Sequence, residues 1–172
     1  MTIAVRLITE ADTVELTHLL CRNAEFPAPW EPRRSDEHWT ESRQRQLIMD
    51  ALARHDAGIA VPLVITVEGV IVGQVNVSNI VGGVFQSAHL GYWVTQDRNG
   101  RGVASRAVAA TINLAFEEYG LHRLEAATLL HNSRSQRVLR RNGFTEIGVA
   151  PHYLRIAGEW QDHLLFQRLS SE

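Results

Sequence analysis

The sequence predicts an α/β protein built on one mixed, mostly antiparallel sheet with helices on both faces. Three observations point there. Apolar residues alternate at period two in several short segments, of which Val61, Leu63, Ile65 and Val67 are the plainest. A 3.6-residue apolar stripe, Ala104, Ala107, Val108, Thr111, Ile112, Ala115 and Phe116, marks a long helix elsewhere. The elements run β, α, α, β, β, β, α, β, α, β, β. Hairpins in that order give antiparallel neighbours, and strand–helix–strand crossovers give parallel ones, so the sheet is mixed.

Each element has a local reason. Ala4 to Ile8 alternates as a first strand. Thr9, with Asp12 three residues on, resembles a capping box with Asp in place of Glu, and the helix it opens runs to about Arg22. Three prolines between Phe26 and Pro32 prevent regular structure. A polar helix follows from about Ser35 to Arg54. Val61–Val67 and Val70–Ser78 form a hairpin across Glu68-Gly69. Gly82-Gly83 leads to a strand from Ser87 to Val94. The polar segment Thr95–Arg101 then precedes the long helix, which opens at Gly102. Arg123–Leu129 is a strand. Asn132 caps a short helix that stops at Gly143, and strands Phe144–Leu154 and Trp160–Arg168 turn at Ala157-Gly158.

Composition excludes several classes. At 45% hydrophobic with net charge −2, the 172 residues are not a disordered chain. The single cysteine, Cys21, excludes a disulfide scaffold. The longest nearly apolar run, Gly58 to Val67, is short of the roughly 20 residues a bilayer needs, and Pro62 interrupts it. Charged residues at positions 6, 10 and 12 do not suit a signal peptide, so a cytoplasmic protein without membrane contact is expected. No repeat or low-complexity linker divides residues 1–172, which read as one domain. The charge balance gives no bias toward nucleic acid, and no direct nucleic-acid binding is expected. Locally, Arg98 with Arg101, and Arg134, Arg137, Arg140 and Arg141, suit an anionic ligand held at one place. Eight histidines include no HExxH and no close pair, and no CxxC is present, so no metal site is expected.

Asp97-Arg-Asn-Gly100-Arg-Gly102-Val-Ala104 lies between a strand and the long helix. Glycines let the backbone turn tightly, its N–H groups face outward, and the helix N-terminus adds about half a positive charge. Such a turn can cradle a pyrophosphate, or it can simply need glycine for positive φ. A dinucleotide fingerprint fits poorly, because Ser105 stands where the third glycine belongs. A nucleotide P-loop is excluded, because no Gly-Lys-Ser/Thr follows.

A second constellation, Asn132-x-x-Ser135-x-x-x-Leu139-x-x-x-Gly143-Phe144, follows. Together with the turn it resembles the GNAT superfamily of acetyl-coenzyme A-dependent N-acetyltransferases. One position departs: Asp97 stands where the family usually has Arg or Gln. Phe26, Pro29-Trp30-Glu31-Pro32, His89-Leu-Gly-Tyr92 and the tail from Tyr153 to His163 are similar to the RimJ/RimL branch, which acetylates ribosomal-protein N-termini.

The resemblance implies a GNAT-like sheet that splays between its fourth and fifth strands, with acetyl-CoA as cofactor. The implied partner is a protein N-terminus, of ribosomal-protein type, or a small amine such as an antibiotic or polyamine. It also leaves room for an acyl-CoA-binding module without turnover, and a homodimer is compatible with it. The implied coenzyme contacts are Trp93 and Val94 on the splayed strand, then Arg98, Asn99, Gly100, Arg101, Gly102, Val103 and Ala104 in the turn, and Asn132 and Arg137 beyond. Ser135 would stabilise the leaving thiolate, or else bond an upstream carbonyl of its own helix. His89 is the first candidate base, against a structural strand histidine, and Glu31 the second. Phe26, Trp30, Tyr92, Tyr153 and Trp160 would line the acceptor groove, or else simply pack. The resemblance implies that the amine attacks directly in a ternary complex, with no covalent enzyme intermediate.

Overall fold

The computed structural model describes residues 1–26, 30 and 32–171. In chain order it contains β1 (Ile3–Leu7), α1 (Thr13–Arg22), α2 (Glu41–Asp56), β2 (Ala60–Val67), β3 (Val70–Val81), β4 (Ser87–Val94), α3 (Val103–Asn113), β5 (Arg123–Leu129), α4 (Ser133–Arg141), β6 (Thr145–Ile156) and β7 (Glu159–Leu169). The seven strands form one sheet in the order β1-β2-β3-β4-β5-β7-β6. Only β4 and β5 run parallel; every other neighbouring pair is antiparallel. This is the mixed α/β architecture that the element order predicts.

Alternation along the strands explains why both faces carry helices. All eight residues of β2 are buried. Val61, Leu63, Ile65 and Val67 join a core cluster with Val103, Ala107, Val108 and Ile112 of α3. Val64 points the other way, into a second cluster with Leu16 and Leu19 of α1 and Ile48 of α2. Each such aliphatic side chain contributes about 1.5–3 kcal/mol on full burial, so a strand apolar on both faces requires cover on both. The stripe of α3 is buried as its periodicity requires, with Ala107, Val108 and Thr111 fully enclosed. Among the described residues no helix is long and apolar enough to cross a membrane.

Two local devices tie the first helices down. The Asp12 carboxylate accepts the Thr9 N–H at 2.8 Å and takes two hydrogen bonds from Arg6, at 2.8 and 2.7 Å. The polar helix expected over 35–54 is divided. Residues Asp36–Trp39 make one 3-10 turn, Thr40 is extended, and α2 begins at Glu41. Thr40 causes the break by capping: its Oγ1 accepts the Arg43 N–H at 3.3 Å.

The feature that positions the site is the parting of β4 from β5. They pair only at Ser87↔Arg123, Ala88↔Leu124 and His89↔Glu125. From Leu90 onward β4 is held by β3 alone, and from Ala126 onward β5 is held by β7 alone. A wedge therefore opens through the sheet, edged by backbone groups that have no strand partner. Gly73 lets β3 approach β4 closely at the mouth of this wedge. A Cβ there would lie 2.2 Å from the Trp93 carbonyl oxygen.

Candidate active site

The wedge opens into a cavity of about 560 Å³. Gly91 to Val94 of β4 form one wall and Ala126 to Leu129 of β5 the other, with α4 residues behind. Strand parity divides the cavity into two sides. Tyr92 belongs with Leu90 and Val94 on the α3 face, as do Ala126 and Thr128 of β5 with Phe166 and Leu164 of β7. Gly91 and Trp93 face the other way, toward α1 and α2, and so do Ala127 and Leu129. A Cβ on Gly91 would meet nothing within 4 Å, so this part of the wall is bare backbone.

The glycine turn and α4 bound the cavity on the α3 face. Gly100 and Gly102 have φ of +75° and +77°, and an added Cβ on either would enter open space. Left-handed backbone costs an L-residue roughly 1–2 kcal/mol, so glycine is required here by conformation. Among the described residues the N–H groups of Gly100, Arg101 and Gly102 enter no backbone hydrogen bond. Those of Val103 and Ala104, in the first turn of α3, have no partner within the helix. Five consecutive N–H groups thus remain for an anion. Asn99 and Ala104 line the cavity, as do Asn132, Ser135 and Val138 of the α4 region. Asn132 is the expected N-cap: its Oδ1 accepts the Ser135 N–H at 3.2 Å, which leaves its amide N–H groups for a ligand.

Tyr92 and Ser135 form a pair. The Tyr92 hydroxyl lies 2.8 Å from Ser135 Oγ and 3.2 Å from the Ser135 carbonyl oxygen. Burial pushes the phenol up to about 12, a shift that the Ser135 hydrogen bond partly offsets. The phenol therefore stays protonated near neutral pH. Either it donates to the carbonyl and accepts from serine, or it donates to Oγ and frees the serine proton for a ligand. Tyr92, expected in the acceptor groove, lines the cavity on the α3 face beside Ser135.

Other expected residues lie elsewhere. His89 does not line the cavity. It sits at the closed end of the β4–β5 pair, with Nε2 3.3 Å from Glu125 Oε2 and Nδ1 3.2 Å from the Asn79 side-chain nitrogen. Both ring nitrogens are engaged there. Glu31 lies outside the described residues. Phe26 and Trp30 do line the cavity, and the Trp30 ring rests on His131, just before the Asn132 cap of α4. Tyr153 stands just outside it, its ring 5.6 Å from that of His163. Trp160 is 61% exposed and away from the cavity, because its position on β7 pairs with Arg155 near the hairpin turn. Arg98 Nε lies 3.2 Å from the exposed Asp97 carboxylate as an ion pair, and Arg101 and Arg137 are exposed, outside the lining.

Two polar lining residues, Thr128 and His131, were missed by the motifs, and a third, His163, stood at the end of the tail that carried the resemblance. Thr128 carries a buried hydroxyl with no partner. His131 packs its ring on Trp30, centroids 5.1 Å apart. His163 is buried beside Leu129. That Thr128 and His163 reach one cavity depends on which strand lies next to which, and no sequence motif carries that information.

The donor set fits a coenzyme A thioester. The five outward N–H groups and the open space before Gly100 and Gly102 suit a diphosphate, and the unpaired wedge edges suit a peptide-like arm. The Tyr92–Ser135 hydroxyls and the orphaned Thr128 hydroxyl surround the place where that arm would end. The family profile described as an Acetyltransferase (GNAT) domain matches residues 3–145. The chain belongs to the GNAT acetyltransferases. As a GNAT protein it is an acetyl-CoA-dependent N-acetyltransferase.

Its relatives narrow the branch. This GNAT chain is 33% identical over 165 residues to the [ribosomal protein uS5]-alanine N-acetyltransferase of Escherichia coli K12, covering 95% of this chain and 85% of that one. The ribosomal-protein-S5-alanine acetyltransferase of Vibrio fischeri superposes with a TM-score of 0.95 at 34% identity, covering 100% and 95% of the two chains. RimJ of Mycobacterium smegmatis, solved in complex with CoA-disulfide, gives 0.95 at 30% identity, covering 98% and 82%.

Proposed function

We propose that this GNAT enzyme transfers the acetyl group of acetyl-CoA to the N-terminal α-amine of a protein, of the ribosomal-protein type that its relatives modify. The observation that carries this reading is a cavity that pierces the sheet. On the α3 face stand an anion cradle and a hydroxyl pair. On the other face the wall at Gly91 is bare backbone with open space before it, and Phe26 and Trp30 line the same cavity. A coenzyme and a polypeptide acceptor can then meet in the wedge from opposite sides.

Each residue of the chain has a task in this scheme. The N–H groups from Gly100 to Ala104 bind the diphosphate, with Arg98, Asn99 and Arg101 beside them. The free edge of β4 at Trp93 and Val94 holds the arm and presents a backbone N–H to the thioester carbonyl, where negative charge develops. The Asn132 amide orients the arm. Tyr92 donates to Ser135 Oγ, which frees the Ser135 proton for a hydrogen bond to the departing sulfur and stabilises the thiolate without full proton transfer. The exposed Asp97 carboxylate pairs with Arg98 rather than with the turn's N–H groups. Phe26 and Trp30 guide the acceptor. An α-amine titrates near 7.7–8.0, so an appreciable fraction is neutral at cell pH.

The test has two arms. Calorimetry with acetyl-CoA reads the cradle. Thiol release from acetyl-CoA reads transfer, with peptides beginning in Ala or Ser set against spermidine and an aminoglycoside. The expected result is binding in the first arm and preference for a peptide in the second. A protein that binds acetyl-CoA but acetylates the small amines faster than every peptide would overturn the acceptor assignment.

A further inference from the structure

The cavity contains one buried imidazole that no step above uses. His163 is 3% exposed and lies on β7, opposite Leu129 of β5 and Ala150 of β6. Its pairing with Leu129 puts it on the face of the sheet turned away from α3, the face of Gly91 and Trp93. Its Nδ1 lies 2.9 Å from the Gln161 carbonyl oxygen. A carbonyl only accepts, so Nδ1 carries the hydrogen, and the neutral ring presents its lone pair at Nε2. The Tyr153 ring packs against the imidazole and holds its orientation. His131 also lines the cavity, with its ring on Trp30, but it is exposed on a turn rather than buried in a strand.

We propose that His163 Nε2 is the proton acceptor for the attacking amine. The inference rests on the acetyl-transfer reading above. The placement matches the chemistry: the hydroxyls that receive the sulfur are on one face of the wedge, and the base is on the other. As the amine lone pair forms the C–N bond to the thioester carbonyl carbon, Nε2 takes one proton from that nitrogen. The C–S bond breaks with its electron pair on sulfur, which Ser135 and Tyr92 stabilise. His163 returns its proton to water and the thiolate takes one from water, so the products are the amide and the free thiol. Fixing Nδ1–H on Gln161 gives the ring one tautomer for this task, as a carboxylate or carbonyl does for other catalytic histidines.

The experiment compares H163Q and H163A with the wild-type protein. Wild-type binding of acetyl-CoA and turnover of an Ala-first peptide establish the underlying reading. H163Q is then expected to bind acetyl-CoA within about twofold of wild type and to lose about 10²-fold or more in kcat, the range for removing a general base. Added imidazole at tens of millimolar is expected to restore H163A about tenfold, which a purely structural histidine does not permit. Turnover of H163Q within threefold of wild type, or a folded, coenzyme-binding H163A that imidazole leaves unchanged, overturns the assignment. Should both variants fail to fold, the wild-type protein decides by histidine nitrogen NMR. The Nε2 resonance of His163 is expected to shift when the peptide is added with coenzyme A, and an unmoved resonance overturns the proposal.

Discussion

Replacing Gly73 by Ala tests the link between sheet geometry and catalysis without touching a reacting group. A Cβ at this position lies 2.2 Å from the Trp93 carbonyl oxygen and 2.9 Å from the Val94 Cα, both backbone atoms of β4. Real Cβ contacts essentially never fall below 3.0 Å, so β4 must retreat by about 0.8 Å at the mouth of the wedge. No flexible side chain can absorb the shift. Overpacking of this kind costs about 1–3 kcal/mol. In a chain of this length each kcal/mol lowers the melting midpoint by about 2–4 °C. The kinetic effect should be larger than the residual stability suggests. The displaced carbonyl belongs to the residue that leads the thioester into place, and a misplacement of about 1 Å can cost as much as 10²-fold. The expected outcome for G73A, assayed well below its midpoint by thiol release, is a fall in kcat/KM of about 10- to 100-fold. A variant that melts several degrees lower yet keeps kcat/KM within twofold would refute the idea that strand separation sets the reacting geometry.

Two further predictions follow from the hydrogen bonds. S135A and Y92F should each reduce kcat about 10-fold or more and leave the Kd for acetyl-CoA little changed. Because their hydroxyls are bonded to each other at 2.8 Å, the double variant should be scarcely worse than the worse single one, whereas multiplying losses would show independent roles. At the other end of the sheet, hydrogen bonds from Arg6 hold the Asp12 carboxyl below its ordinary value, more than burial raises it. A depressed folded value means that the stabilisation is present above the unfolded value, about 3.9, and lost as pH falls through the folded one. Denaturant titrations of wild type and D12N from pH 7 to pH 3 should therefore converge toward the acid end, and a constant gap would exclude this contribution.

Much of the fold was legible because local chemistry decided it. Glu68 and Gly69 adopt φ of 51° and 83°, the left-handed pair that a two-residue hairpin needs, and Gly102 opens α3 at +77°. The burial of Ala107, Val108 and Thr111 could be read from spacing alone. The break at Thr40 was harder, since a threonine inside a polar stretch reads equally as helix interior or cap. The site was legible where it depends on short motifs: the Gly100–Ala104 turn and the Asn132 cap. It was not legible where it depends on pairing. Period two assigns Tyr92 and His89 to opposite faces but does not say where β4 and β5 stop touching. The three-pair register stops at His89, which leaves that histidine beside Glu125 at the closed end. His163 was already part of the tail that carried the resemblance, but its place beside Leu129 became visible only from the pairing of β5 with β7.

The sheet order β5-β7-β6 places the last strand of the chain inside the sheet, with β6 outermost. During synthesis the second jaw of the wedge is therefore incomplete until Glu159–Leu169 has threaded between two strands already made. A chain stopped a dozen residues early forfeits an interior plank and sets β6 adrift, rather than trimming a border.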